Sequence, residues 1–247
     1  MNSGNKISVI AAFSVVAALS VGGCAGGGHS EDGSRDAAYL MGNLQAQTES
    51  MAVRQLGRSL TEYLPNQRFD VDGASVQSLS EVVVKGRVEY ARGVAGFYYP
   101  DGENSDESSS TQIPFDDKRA LWRTIEVGVR VEDKVGVLDD DVARFALTVD
   151  GPDHERLVEE AGNLGDVVVF LTGSGTVKAD KGLRRVAGFG ALLGRVGDDG
   201  KLTFDLADSV DDAGAGIDVD HSQWDDLKQA GAQKRATIST DRLGNRT

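Results

Sequence analysis

The sequence predicts a mainly β fold with flanking helices (α+β). The expected form is a five-stranded antiparallel barrel; the alternative is an open β-sandwich of the same strands. Three observations carry this. Apolar and polar residues alternate with period two through 82–90, 124–132 and 143–149, the pattern of half-buried strands. One short helical pattern, 151–165, falls between the third and fourth apolar segments. A Gly197-Asp198-Asp199-Gly200 turn then separates two further apolar segments.

The elements follow in chain order. Residues 1–23 hold one charge, Lys6, then an apolar run from Ile7 to Val21, then Gly22 and Gly23. That run is short for a spanning helix, which needs about 20 apolar residues. A charged start, a short apolar middle and a small-residue end make an export signal. Residues 24–35 are Gly-rich and include Ala25 to Gly33, the composition of a flexible tether. Residues 36–65 read as an N-terminal helical segment, with Leu56, Leu60 and Leu64 on one face and Pro65 ending it.

The β domain is expected over 66–210. Val82, Val84, Val88 and Tyr90 alternate in its first strand, where Gly86 marks a bulge or sharp bend. In the second, Ile125, Val127, Val129 and Val131 alternate with Glu126, Gly128, Arg130 and Glu132, which predicts one wet face. Phe145, Leu147 and Val149 repeat the pattern. The helix follows Pro152, with Asp153 and Glu155 in its first turn. Asp166 to Leu171 is a nearly unbroken apolar run, predicting burial on both faces. Residues 184–208 read as strand, turn, strand. Between the first two strands, the Ser-rich and acidic residues 100–117 are expected to form a mobile loop. Residues 211–247 read as a polar linker, a short helix contacting the domain through Trp224 and Leu227, and a tail.

Strand, strand, strand, helix, strand, strand is the order of an OB-type barrel. The strings Val82 to Val88, Val127 to Asp133 and Gly165 to Leu171 resemble those of OB-like domains in exported bacterial proteins of unknown role. The resemblance is one of pattern, and no site residue follows from it. Val21-Gly22-Gly23-Cys24 resembles the lipobox of bacterial lipoproteins. That resemblance implies cleavage by signal peptidase II between Gly23 and Cys24. It also implies a diacylglyceryl thioether on Cys24 and acylation (palmitate or a similar chain) of the new amine. Cys24 is the only Cys in the chain. A membrane-anchored protein on the extracytoplasmic side is therefore expected, its membrane contact being the lipid.

Charge and composition narrow the function. The chain carries 26 Lys+Arg against 39 Asp+Glu, a net charge of −13, which argues against nucleic acid as a partner. One Cys excludes a disulfide framework and a Cys-based zinc cluster. Asp70-Val71-Asp72-Gly73 and Asp218-Val219-Asp220 are fragments of calcium-loop spacing that continue to no third acid or bidentate Glu. They read first as solvated turns, so no cofactor or metal is expected beyond the lipid on Cys24. Calcium is the alternative. Gly173-Ser174-Gly175 and Gly200-Lys201 lack the remainder of a phosphate loop. His154 and His221 sit beside acids without a nucleophile motif. Phe97, Tyr98 and Tyr99 form the densest aromatic cluster and are the candidate binding surface, able to stack on a glycan or grip an envelope protein. The expectation is a non-catalytic envelope-binding module. The alternatives are an accessory enzyme using carboxylates or an Asp-rich calcium binder.

Overall fold

Two long antiparallel strands organise the molecule. β3 (Val82–Tyr98) and β5 (Trp122–Gly136) pair along their length. The computed structural model describes residues 37–44, 60–65, 68–71, 74–77, 80–100, 110–175, 177–187, 190–205 and 223–232. All lie within the unit Asp32–Thr247.

The other strands are β1 (Arg68–Val71), β2 (Ala74–Gln77), β4 (Thr111–Ile113), β6 (Val142–Val149), β7 (Asp166–Leu171), β8 (Arg184–Arg185), β9 (Leu193–Val196) and β10 (Leu202–Thr203). β1 and β2 make a separate two-stranded sheet. The rest form one curled open sheet of eight strands, in the order β10-β9-β7-β3-β5-β6-β8, with β4 on the end of β3. The helices among the described residues are α1 (Ala38–Gly42), a 3-10 turn at Leu60–Tyr63, α2 (His154–Gly162) and α3 at 224–232. The architecture is thus mainly β with flanking helices, as expected, but the sheet holds more strands than five.

The extra strands have local causes. Sequence pattern alone runs the apolar segment after Arg184 as one strand into the 197–200 turn. Gly190 instead takes φ +105°, a conformation that favours Gly and turns the chain away from a regular extended course, and it lies between Arg185 and Leu193. The segment therefore splits into β8 and β9. Part of the loop expected to be mobile is also held in place: Thr111–Ile113 pairs with Gly96–Tyr98 of β3. Residues 101–109 of that loop lie outside the described residues.

Three register shifts break the β3–β5 ladder, between Lys85/Gly86, Val88/Tyr90 and Gly93/Ala95. Bulges increase twist and bend a strand, and here they let one pair of strands curl around the core. Val82, Val83 and Val84 are all fully buried, as are Val167 to Leu171. The continuous apolar run of β7 predicts this two-sided burial. Inside the curl, Ile125, Val127 and Val129 meet Ala143, Phe145 and Leu147 in the main core.

α2 begins where Pro152 and Asp153 predict. The Asp153 side chain accepts from the Arg156 N–H at 3.2 Å, an N-cap. Its face of Leu157 and Ala161, followed by Leu164, is buried. α1 docks on it: Glu160 Oε2 accepts from Leu40 N–H at 2.7 Å, and the Arg156 guanidinium lies 4.5 Å over the Tyr39 ring. Leu44 bridges to Val149. In α3, Trp224 and Leu227 are buried, and Asp133 accepts from Trp224 Nε1 at 3.0 Å and from Lys228 Nζ at 2.6 Å.

Candidate functional site

The face of β3, β5 and β6 turned away from the core is built by the ladder register. Tyr90 pairs with Gly128, Arg92 with Glu126, Ala95 with Thr124 and Phe97 with Trp122. Across β5, Gly128 faces Arg144 and Glu126 faces Ala146. Paired residues share a face, so this outer row has a charged middle and an aromatic end.

The wet face expected on β5 is wet only in part. Arg130 and Glu132 are exposed, but Glu126 is 1% exposed and Gly128 is buried. The Tyr90 ring causes this, because it lies where a side chain at position 128 would be. A Cβ there would stand 2.2 Å from Tyr90 Cε1. Glu126 Oε1 accepts from Tyr90 Oη at 2.9 Å and Arg144 Nε at 2.7 Å. Its Oε2 accepts from Arg92 Nε at 2.9 Å and Nη2 at 2.6 Å. Burial pushes the Glu126 carboxyl up, but the bonds from Arg144, Arg92 and Tyr90 outweigh it and hold the group below the ordinary glutamate range. Tyr90 moves the other way: burial and the neighbouring carboxylate raise its phenol. One buried carboxylate thus orients two guanidiniums, and both reach solvent.

Segment 177–183 lies on the same face. Val177 and Leu183 pack with Ala146, Val94 and Ala179 in a small cluster separate from the main core. Lys178 Nζ donates to Ser110 O at 2.7 Å and Oγ at 2.8 Å, and lies 5.8 Å over the Phe97 ring.

At the aromatic end Phe97 is 1% exposed. It serves as the floor on which Trp122 stacks, with centroids 5.2 Å apart and planes 12° from parallel. Tyr99 leans on Trp122 at 5.3 Å. Trp122, Tyr98 and Tyr99 are half-buried, and Leu121 beside them is 57% exposed. Tyr98 lies under the Arg119 guanidinium, 5.0 Å from it. Side-chain and backbone hydrogen bonds from Arg119 hold Asp117 down at about 2. Buried Arg123 secures this arm, donating to the carbonyls of Phe115 at 2.9 Å, Asp117 at 3.2 Å and Gly151 at 3.4 Å.

Of the residues singled out from the sequence, Phe97 and Tyr99 come together with Trp122, which sequence pattern does not single out, whereas Tyr98 lies instead under Arg119. Ring spacing along one strand cannot reveal a partner on the next. The Tyr90–Arg92–Glu126–Arg144 group is equally invisible there, because its members come from three strands. Gly23, Cys24, Asp218 to Asp220 and His221 lie outside the described residues. His154 meets the Phe115 ring edge-on at 5.7 Å. Gly175 N–H donates to Lys181 O, and Gly200 N–H to Gly197 O, both in turns. Among the described residues, no group of three or more His, Cys, Asp or Glu side chains is placed to hold a metal ion, and no helix is long and apolar enough to cross a membrane. No protein-family model, no curated protein and no solved structure matches the chain.

Proposed function

We propose that this chain is a bacterial lipoprotein, held to the cell membrane through Cys24, with a non-catalytic binding module as its body. The observation that carries the binding reading is the ring stack at the end of β3. A buried Phe97 supports Trp122, and Tyr99 and Leu121 stand beside it with surface to spare. Rigid aromatic groups backed by a packed floor give contact area at low entropic cost, and they suit a glycan face or an apolar side chain of an envelope protein.

The OB-type barrel is the arrangement we infer for the body. It is supported by α2 between β6 and β7 and by the parallel pairing of β6 with β8. Leu171 bridges to Val186, with bonds from Thr172 N–H to Arg185 O and from Ala187 N–H to Phe170 O. Residues 184–187 therefore have β6 on one side and β7 on the other.

Metabolic labelling with a fatty acid tests the anchor. The native chain is expected to take label and Cys24→Ser to take none; label on the variant, or none on the native chain, ends the lipoprotein reading. A photo-crosslinker placed at Tyr99 in cells tests the surface, with Asp198 in the β9–β10 turn as control. A discrete adduct at Tyr99 alone is expected. Identical adduct patterns from the two positions would rule out the aromatic end as the binding surface.

A further inference from the structure

We propose that Arg92 and Arg144 form a recognition site for a carboxylate-bearing ligand, and that Asp180 now occupies the ligand's place. The site lies apart from the aromatic end and does not depend on the lipid anchor. Its foundation is Glu126, 1% exposed, which takes two bonds from Arg92 and one from Arg144. Those bonds fix both guanidiniums while their side chains keep 63% and 41% exposure. Two cations on one buried anion leave one positive charge, which the Asp180 carboxylate meets only loosely, at 3.6 Å from Arg144 Nη2. Arginines held in this way are prepaid in entropy for a planar carboxylate, whose two oxygens match the guanidinium fork.

The occupant shows the chemistry. Asp180 projects from segment 177–183, and its Oδ2 stands 3.6 Å from Arg144 Nη2. That is an ion pair without hydrogen-bond contact. Its other oxygen, Oδ1, accepts from Gly182 N–H at 2.7 Å and so belongs to the turn. Asp180 therefore divides into a structural oxygen and a loosely paired one. An incoming carboxylate has to swing the Asp180 group aside to close to bonding distance on Arg144, since both Asp180 oxygens belong to one rigid carboxylate. Arg92 is held on the same Glu126.

A purely structural ion pair would not respond to substitution as this site should. Asp180→Asn keeps the oxygen that receives Gly182 N–H and removes the competing charge. In the full chain, the arginine Nε–Hε signals are followed by NMR while sodium succinate replaces sodium chloride at constant ionic strength. Saturable shifts are expected at Arg92 and Arg144. Asp180→Asn is expected to tighten succinate binding roughly two- to sixfold, the competition that an exposed ion pair supplies. Arg144→Gln is expected to abolish the saturable response. If that variant does not fold, Arg92→Gln, at the more exposed arginine, is expected to weaken binding instead. Unchanged or weaker binding in Asp180→Asn overturns the proposal, as does a response that survives both arginine replacements. Inorganic phosphate is run in parallel, and tighter binding of phosphate than of succinate overturns the carboxylate assignment.

Discussion

Glu126→Ala is expected to cost about 3 kcal/mol of folding stability, because it strands two arginines and a phenol around a vacated buried site. The half-exposure of Arg92 and Arg144 keeps the cost at the lower end of the range for breaking a buried pair, since both can turn to water. In a thermal melt this corresponds to about 6–12 °C for a domain of this size. A change within about 2 °C would mean that the network carries no stability. Acid should act through the same group. Its folded-state pKa lies below the ordinary value, near 4.3 for a free Glu. The stabilisation is therefore fully present above that ordinary value and is lost as pH falls through the lower, folded one. Glu126→Gln should accordingly flatten the fall in stability below about pH 4.3. Asp133, also held low with Lys228 and Trp224 bonded to it, adds a slope of the same sign that survives in the variant.

Gly86→Ala should be at least as damaging, at about 3–5 kcal/mol. A Cβ at this position would stand 1.9 Å from the Arg130 carbonyl oxygen and 2.9 Å from Val129 Cγ1. The first of these is backbone and cannot rotate away. Gly86 also pairs on both sides, with Val131 of β5 and Val167 of β7, so the strand cannot shift without loosening two ladders. Gly42, in α1, is the control. Nothing lies within 4 Å of a Cβ there, and Gly→Ala in a helix favours the fold by up to about 1 kcal/mol. Urea denaturation of the two variants reads the difference. Equal midpoints would show that β3 and β5 do not approach at Gly86 as described.

Gly86 also shows how much of this fold is legible in the sequence. A lone Gly inside an alternating strand marks a bulge, and the ladder shifts register between Lys85 and Gly86. The two-sided burial of β7 and the start of α2 at Asp153 are equally legible, because run length and capping chemistry are local properties. Periodicity misplaces Glu126 for a definite reason. Period two separates the faces of a strand but does not say which face meets water. Tyr90, thirty-six positions earlier, and segment 177–183 cover the polar face of β5, and neither leaves a mark near residue 126. The aromatic end is half legible: Phe97 and Tyr99 are near neighbours in sequence, but Trp122 joins them only through pairing with Phe97.

By itself, then, the sequence determined the β-rich class, the position of the helix between two strands, the bulge at Gly86 and the expectation of an acylated Cys24. Each depends on residues within a few positions of one another, where backbone geometry and side-chain periodicity act directly. Only the tertiary structure decided which polar residues are buried, how many strands join the sheet, and that Arg92, Glu126 and Arg144 meet. Those outcomes depend on chain segments distant in sequence competing for the same surface, and the energy of that competition is written in no single stretch.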